Sequence, residues 1–285
     1  MNENARFDLR WLFEDKPVEP GVSPADYDGF EVAVNGERIY GQALWPDGSF
    51  AAPRPTVLLL HGYPGTGRND DLAQALRRCG CAVVVPHARG AWGSEGTYSF
   101  AHIVEDAIAV AQEVRSGELG KKLHADPGSI FLIGHSMGGW ATLNAARALP
   151  WLRGLVLLAP YDLTYHIVRN EPEKLRELLS CGLIMHTDGE EALFAEAVSL
   201  KDRSFASCFE AVKNMDVCGV YGSLDTVAPF AMSEQLWQQL DACTVPAVRR
   251  RVDYPTVHGL DSHRVAMTRF VAEFLADSLK TRPVV

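Results

Sequence analysis

The chain has 285 residues, of which 47% are hydrophobic and 22% charged, and its formal net charge is −9 at pH 7. This acidic balance argues against nucleic acid as the main partner, because phosphate binding requires a basic face. The proportions are those of an ordinary globular protein, and the length suits either one large core or two modest ones.

The ends and the cysteines of the chain bear on its compartment. The N-terminal sequence MNENARFDLRWLFEDKP has neither the basic nor the apolar region of a signal peptide. No apolar run approaches the ~18 residues that a membrane-spanning helix requires. The six cysteines are scattered, and Cys79 and Cys81 have the spacing of neither a redox motif nor half of a zinc site. We therefore expect a cytoplasmic protein with no membrane span and with reduced, mostly buried thiols.

Residues 1–29 contain several prolines and are predicted to form an irregular leader. The apolar triplet Trp11, Leu12 and Phe13 lies inside this leader. We expect the triplet to dock on the folded body. The alternative is contact with a second copy of the chain in a homodimer.

From residue 30 onwards, short apolar strands alternate with amphipathic helices. Asn35-Gly36 favours a tight two-residue turn and predicts a hairpin between strands 30–34 and 38–44. The later strands are continuously apolar, as is typical of strands buried on both faces of a parallel sheet. These patterns predict an α/β fold with a mainly parallel central sheet, helices on both faces and antiparallel strands at one edge. The later predicted strands are 56–60, 81–85, 129–133, 155–159, 217–221 and 248–254, and the predicted helices are 70–79, 103–114, 137–149, 230–240 and 265–279.

The alternation stops between Pro160 and Asn214, where the sequence is helical and charged and has no strand signal. We predict a helical lid of about 50 residues, at about 160–214, inserted into a single domain of residues 30–285. Several of its side chains either line a substrate pocket or pack the insertion onto the body. They are Tyr161, Tyr165, His166, Met185, His186 and Phe194.

The motif that points most directly to chemistry is Gly134-His135-Ser136-Met137-Gly138, between a predicted strand and a predicted helix. This is the context of a nucleophile elbow, in which a serine on a strained turn directs its hydroxyl away from the sheet. The flanking glycines suit that turn because side chains there would collide with the tightly packed chain. We therefore predict that Ser136 is a nucleophile rather than a helix cap.

A serine hydroxyl needs a histidine base, which is oriented in turn by a carboxylate. In nucleophile-elbow proteins the order along the chain is serine, acid, histidine. Asp225, in the turn after a buried strand, is the favoured acid, and Asp162 is the alternative. His258 is the favoured base because it follows a strand and precedes a glycine, and His263, at the start of the last helix, is the alternative.

The tetrahedral intermediate of acyl transfer requires two N–H donors. The main-chain N–H of Met137, directly after the nucleophile, is expected to supply one of them. The second is assigned to Tyr63 in the loop after strand 56–60, because Pro64 has no N–H. His61 and His135 are predicted to be scaffold residues.

Taken together, the segments HGYPG, GHSMGG, GSLDTVAP and VHGLDSHR resemble the α/β-hydrolase superfamily. The chain is similar to its bacterial serine esterases and to its prolyl-oligopeptidase-like or dienelactone-hydrolase-like branch, over roughly residues 30–280. The resemblance implies the α/β-hydrolase fold, with Ser136 as nucleophile, Asp225 as acid and His258 as base. It also implies that Tyr63 and Met137 form the oxyanion hole.

One segment departs from the pattern of close relatives, which have a DHSFSDHR-type ending. Here Val257 replaces the acidic neighbour of the histidine and Leu260 replaces the phenylalanine. The register of the histidine loop is unchanged by these differences.

The predicted reaction is hydrolysis of a small carboxylic ester or thioester through an acyl-enzyme. An amidase or small-peptide hydrolase, including an aminopeptidase, is one alternative, and a non-catalytic ligand-binding member of the fold is another. Nothing in the sequence resembles the β-propeller of large oligopeptidases, which favours small esters. The glycine-rich segments 62–68 and 90–96 lack the spacing of phosphate-binding or dinucleotide-binding loops. No cofactor and no metal are predicted, and the expected partner is a small-molecule ester.

Overall fold

The computed structural model describes residues 6–67, 69–182 and 184–281 of the chain. Its strands are β1 (Asp26–Val34), β2 (Glu37–Trp45), β3 (Arg54–Leu60), β4 (Ala82–Pro86), β5 (Ala125–His135), β6 (Gly154–Leu158), β7 (Asp216–Gly222) and β8 (Arg249–Tyr254). They form one sheet in the order β1-β2-β4-β3-β5-β6-β7-β8. Strand β2 pairs antiparallel with β1 and β4, whereas all pairs among β3 to β8 are parallel. The predicted α/β fold, with antiparallel strands at one edge, is confirmed.

The predicted hairpin joins β1 to β2. Val34 pairs with Glu37, and the two residues between them, Asn35 and Gly36, have φ angles of 51° and 88°. Positive φ at both turn positions matches the right-handed twist of the strands. Strand β1 begins at Asp26, within the segment predicted to be irregular, because main-chain pairing with β2 holds its exposed first residues. Apolar periodicity reports side-chain burial, so it gives no signal for such an edge segment.

Helices cover both faces of the sheet. They are α1 (Asp70–Arg78), α2 (Phe100–Ser116), α3 (Glu118–Leu123), α4 (Met137–Ala146), α5 (Tyr165–Val168), α6 (Pro172–Leu179), α7 (Glu190–Ser199), α8 (Phe209–Val212), α9 (Glu234–Ala242) and α10 (Arg264–Thr281). Every helix predicted outside the insertion is present. Helix α3 was not predicted, because its sequence ELGKKL is too short and too polar for a periodic signal.

Side chains of the central strands alternate between two apolar layers. In β3, Leu58 and Leu60 face the layer that α2, α4 and α9 cover, whereas Val57 and Leu59 face the layer that α1 and α10 cover. This alternation follows from the two-residue period of a strand, and burial on both faces explains the continuously apolar strand sequences.

The chain between β6 and β7 contains helices α5 to α8. It is attached to the body at several points. The carboxylate of Glu196 on α7 accepts hydrogen bonds from the N–H groups of Phe100 (2.8 Å) and Ala101 (2.9 Å) at the start of α2. The main chain of His186 bonds to Gly90 (2.8 Å) and Tyr98 (2.7 Å). We refer to residues 160–214 as the insertion, and their action as a lid stays a prediction.

The leader contacts the body, as expected. The N–H of Asp8 donates to the carbonyl of Cys79 over 2.8 Å, and the guanidinium of Arg78 donates to the carbonyl of Leu12 over 2.7 Å. Leu12 is only 4% exposed and packs in the layer under α1 and α10, while Phe13 is 44% exposed. The homodimer stays a prediction.

All six cysteines are free, and four of them are buried, namely Cys79, Cys81, Cys208 and Cys218. Among the helices in the described ranges, none combines the length and the apolar character needed to cross a membrane.

A buried ion pair lies beneath the glycine-rich loop that follows β4. The guanidinium of Arg89 donates to Asp106 over 2.7 Å, and also to Glu105 (2.6 Å) and Glu37 (3.2 Å). The side chains of Arg89 and Asp106 are 2% and 4% exposed. Burial raises the pKa of Asp106 to about 6, against the lowering effect of Arg89. Without Arg89 the Asp106 carboxylate would be buried without this cation, whereas the guanidinium without Asp106 would still contact Glu105 and Glu37.

We expect Arg89→Met to lower the free energy of unfolding by about 3–5 kcal/mol, because it leaves the Asp106 carboxylate buried without its cation. Arg38→Met is the matched control, because Arg38 pairs with Glu95 at a site where the arginine is 53% exposed. It should cost less than about 1 kcal/mol. Urea denaturation measures both values, and equal losses would contradict this account.

Candidate active site

Ser136 lies between the end of β5 and the start of α4, with φ 53° and ψ −122°. This is a left-handed conformation that a serine adopts only under strain. A Cβ on Gly134 would collide with the carbonyl of Gly138, and a Cβ on Gly138 would collide with the carbonyl of Leu60. The two glycines therefore allow the sharp turn that presents the Ser136 hydroxyl at the carboxyl edge of the sheet.

The structure brings the favoured base and acid to this hydroxyl. The Nε2 atom of His258 lies 2.9 Å from the Oγ of Ser136, and its Nδ1 lies 2.8 Å from Oδ2 of Asp225. The other carboxylate oxygen of Asp225 accepts the N–H groups of Val227 (2.8 Å) and Ala228 (2.9 Å). Because β5, β7 and β8 are parallel, the loops after all three strands meet at one edge.

Electrostatics at Asp225 favour the charged form. Burial would raise the pKa of Asp225, but hydrogen bonds from His258 and from two main-chain N–H groups outweigh burial and hold this pKa below its ordinary value. The carboxylate therefore stays ionised at neutral pH and fixes the proton of His258 on Nδ1, which leaves Nε2 as an acceptor for the serine proton.

The alternative acid, Asp162, and the alternative base, His263, make their contacts with other residues. Asp162 accepts hydrogen bonds from the N–H and hydroxyl of Thr164 (both 2.9 Å) and from the N–H of Phe205 (2.9 Å). Burial raises the pKa of Asp162 to about 6, and its contacts join the two ends of the insertion. His263 stacks on Tyr254 with ring centroids 5.1 Å apart. Neither side chain contacts His258 or Ser136 in the described structure.

The loop after β3 lies directly against the serine. A Cβ on Gly62 would be 2.8 Å from the Cβ of Ser136 and 3.4 Å from its Oγ, so only glycine fits there. Tyr63 is the next residue in this loop. Met137 is the first residue of α4. The first N–H groups of a helix have no acceptor within the helix, and they lie at the positive end of its dipole. The imidazole of His61 has the scaffold role predicted for it, since its Nε2 accepts the N–H of Ala88 over 3.1 Å.

His135 does more than the sequence indicated. Its Nε2 donates to the main-chain carbonyl of His258 over 3.1 Å, and the two rings lie 5.1 Å apart. Burial, and then the positive charge that His258 can carry, lower the pKa of His135 to about 4. His135 thus stays neutral at ordinary pH and holds the base without repelling it.

Arg264 is a second contact to the histidine loop, and sequence reasoning missed it. Its guanidinium makes two bonds to the carboxylate of Asp71 (2.9 and 2.6 Å) and one to the side chain of Asn69 (2.9 Å). It also donates to the carbonyl of Gly259 over 3.4 Å. Arg264 is the last residue of the VHGLDSHR segment, so the sequence did draw attention to this position. Its partner Asp71 on α1 lies 193 positions away, and a local pattern does not indicate such a contact.

Two grooves adjoin the loops that carry His258 and Asp225. One, of about 590 Å³, lies between the loop after β3 and the histidine loop and is lined by residues that include Gly62, Tyr63, His135, His258, Gly259 and Arg264. The other, also of about 590 Å³, lies between the insertion and the loop after Asp225, and its lining includes Tyr161, Tyr165, His166, Leu178, Val227 and Pro229.

The insertion residues named from sequence divide between the two expected roles. Three of them, Tyr161, Tyr165 and His166, line the second groove. By contrast, the ring of Phe194 packs under Arg176 at 3.9 Å, and the ring of His186 bonds to the carbonyl of Gly96 over 2.7 Å. Met185 lies against the loop after β3, where a Cβ on Gly65 would be 3.3 Å from its methyl carbon. Across residues 6–67, 69–182 and 184–281 there is no cluster of three or more metal-ligating side chains.

Comparison with known proteins extends these observations. The family model described as "Serine aminopeptidase, S33" matches residues 51–180. The lysophosphatidylserine lipase ABHD12 of Danio rerio is 29% identical over 206 residues, which cover 68% of this chain and 50% of the relative. An esterase of Mycobacterium tuberculosis is 26% identical over 203 residues, covering 67% of this chain and 64% of the relative. The chain thus matches less than two thirds of the length of these relatives.

Among solved structures, Est1E from Butyrivibrio proteoclasticus with bound ferulic acid aligns with a TM-score of 0.67 and 19% identity. The alignment covers 88% of this chain and 100% of that chain, so the two share a fold. The mostly parallel eight-stranded sheet and the serine on its strained strand-to-helix turn agree with these matches. The chain therefore has the α/β-hydrolase fold, and its sequence is similar to those of esterases and lipases.

Proposed function

We propose that this chain is a serine hydrolase that cleaves a small carboxylic ester or thioester through an acyl-enzyme intermediate. The observation that carries the proposal is the continuous contact from the Ser136 hydroxyl through His258 to Asp225, at 2.9 and 2.8 Å. These are distances at which a proton can pass from a nucleophile to its base.

In the first half-reaction, the Oγ of Ser136 attacks the carbonyl carbon while Nε2 of His258 takes its proton. The carbonyl electron pair moves onto oxygen, which becomes an oxyanion. As the intermediate collapses, the bond to the leaving oxygen or sulfur breaks, and His258 returns the proton to that atom. Water then replaces the alcohol and repeats the two steps, which releases the acid and restores Ser136.

The N–H groups of Tyr63 and Met137 are proposed to bind the oxyanion. The close approach of Gly62 to Ser136 supports the first donor, and the position of Met137 at the start of α4 supports the second. Each donor of this kind is worth about 2.7–4 kcal/mol of barrier.

The grooves support a substrate with a modest group on each side of the ester. The second groove has an aromatic wall, where the rings of Tyr165 and His166 lie 5.2 Å apart, and it faces the apolar side chains of Val227 and Pro229. Its lining also includes the charged side chains of Arg169, Glu171, Lys174 and Glu177, so the groove suits a portion that combines an aromatic group with a polar one. Similarity to an esterase and to a lysophosphatidylserine lipase also supports a proposed ester substrate.

An amidase or aminopeptidase is a second candidate, because the matching family model is described as a serine aminopeptidase. Both activities use the same acyl-enzyme chemistry. They differ in the leaving group, since an amine must be protonated as it departs whereas a phenolate need not be.

The cytoplasm is the compartment that we propose. The free state of all six thiols supports a reducing environment. The homodimer proposed from the leader would have the exposed Phe13 as its candidate contact.

Ser136→Ala should reduce kcat for p-nitrophenyl acetate by about 10³-fold or more, because no other nucleophile replaces the hydroxyl. The melting temperature should stay within a few degrees of the parent. A fluorophosphonate probe should label the parent chain and leave the variant unlabelled, as intact-mass spectrometry would record. Near-normal turnover by the variant, or absence of labelling in the parent, would remove the basis of the mechanism.

Replacement of each candidate acid separates their roles. Asp225→Asn should lower kcat by about 10³-fold or more, because the amide no longer fixes the tautomer of His258. Asp162→Asn should lower kcat less than about 10-fold while it reduces the melting temperature, because it weakens a buried contact between the ends of the insertion. Steady-state kinetics and thermal denaturation give both readouts. The reverse pattern would make Asp162 the acid.

A matched panel of leaving groups distinguishes the two candidate activities. We expect kcat/KM for p-nitrophenyl acetate and butyrate to exceed that for alanyl- and prolyl-p-nitroanilide by at least about 100-fold, or roughly 2.7 kcal/mol. All four substrates release a chromophore that is measured in the same assay. A preference for the anilides would replace the esterase proposal with the aminopeptidase.

A further inference from the structure

The main chain and the side chain of Tyr63 serve different parts of the molecule. Its N–H belongs to the proposed oxyanion hole, whereas its phenol contacts the insertion. There the phenol donates a hydrogen bond of 2.6 Å to the carbonyl of Leu179, the last residue of α6. The turn after α6 is shaped for this contact, because a Cβ on Gly182 would collide with the phenol oxygen.

The contact is buried and keeps its donor. Tyr63 is 7% exposed, and burial raises the pKa of its phenol to about 12, so the hydroxyl keeps its proton at any ordinary pH. A hydroxyl bonded to a carbonyl in a site shielded from water restricts the side chain to one position.

The partner that receives this bond is itself held in place. The insertion caps α2 through Glu196, and the carboxylate of Asp162 joins its two ends. The other contacts of the loop lead to the body, where the indole of Trp92 donates to the carbonyl of Gly65 over 2.7 Å. The loop after β3 is thus held from two sides. Trp92 contacts it from the body, and the phenol of Tyr63 connects it to the insertion.

We propose that the phenol of Tyr63 is a positioning group, which fixes the oxyanion-hole N–H of its own residue by bonding to α6 of the insertion. This inference rests on the proposed hydrolase function. It assigns the insertion a structural part in the oxyanion hole, because a shift of α6 would move the donor. This hydrogen bond should contribute to binding of the transition state more than to binding of the substrate. The reason is that the oxyanion forms only as the reaction proceeds, and it interacts more strongly with the N–H donor than the substrate carbonyl does.

The chain supplies a matched control in Tyr98. Its ring lies 5.5 Å from that of Tyr63, and it is 2% exposed. Within the part of the chain that the structure describes, its buried hydroxyl has no hydrogen-bond partner. Tyr63→Phe and Tyr98→Phe therefore remove the same atom from neighbouring buried rings, but only the first removes a hydrogen bond.

We expect Tyr63→Phe to lower kcat for p-nitrophenyl acetate by about 10-fold or more, with KM changed less than about twofold, because a displaced donor weakens binding of the transition state alone. Tyr98→Phe should retain parental kcat and KM within about twofold. A phenylboronic acid, whose tetrahedral adduct with Ser136 places an oxygen in the hole, should lose affinity for Tyr63→Phe by a similar factor. The melting temperatures of both variants should stay within about 5 °C of the parent.

Gly182→Ala provides an independent variant, because its methyl group displaces the phenol while Tyr63 remains. It should reproduce the loss of kcat and of boronic acid affinity. The inference is overturned if Tyr63→Phe matches Tyr98→Phe, if it raises KM at constant kcat, or if a folded Gly182→Ala keeps full activity. Failure of the proposed function would look different, since the parent chain itself would then hydrolyse no ester.

Discussion

The hydrogen bond between the imidazole of His258 and the hydroxyl of Ser136 is the contact on which the proposed chemistry depends. The two residues are 122 positions apart, and Asp225 lies 33 positions before the histidine. Parallel strands make such a meeting possible, because every loop at their carboxyl ends opens onto the same edge of the sheet. A shift of a few tenths of an ångström in any of these loops would lengthen this hydrogen bond. Separate contacts hold each loop in place.

The supports of the base act through its main chain as well as its ring. His135 donates to the carbonyl of His258 itself, and Arg264 donates to the carbonyl of Gly259 while its guanidinium is held by Asp71 on α1. The ring is oriented separately by the carboxylate of Asp225. Burial keeps His135 neutral, so this support places no positive charge beside an imidazole that becomes charged in the proposed reaction.

The insertion has a related role on the other side of the serine. Its action as a lid stays a prediction, and in this structure it is docked on the body, with the carboxylate of Glu196 capping α2 and the main chain of His186 bonded to the loop after β4. The phenol of Tyr63 bonds to α6 and so links the insertion to the loop that carries the N–H of the proposed oxyanion hole. One groove lies between the insertion and the loop after Asp225, and the other lies between the loop after β3 and the histidine loop.

The amino-acid sequence alone determined the strand and helix pattern, the hairpin at Asn35-Gly36 and the elbow around Ser136, because these depend on local periodicity and on glycine conformations. It also favoured Asp225 over Asp162 as the acid, from the position of Asp225 in the turn directly after a buried strand. Only the tertiary structure decided which partner each polar side chain takes. The hydrogen bonds of His135 to His258, of Arg264 to Asp71 and of the Tyr63 phenol to Leu179 join residues 123, 193 and 116 positions apart. No local pattern encodes contacts of that kind, since they arise only when the sheet brings distant loops together.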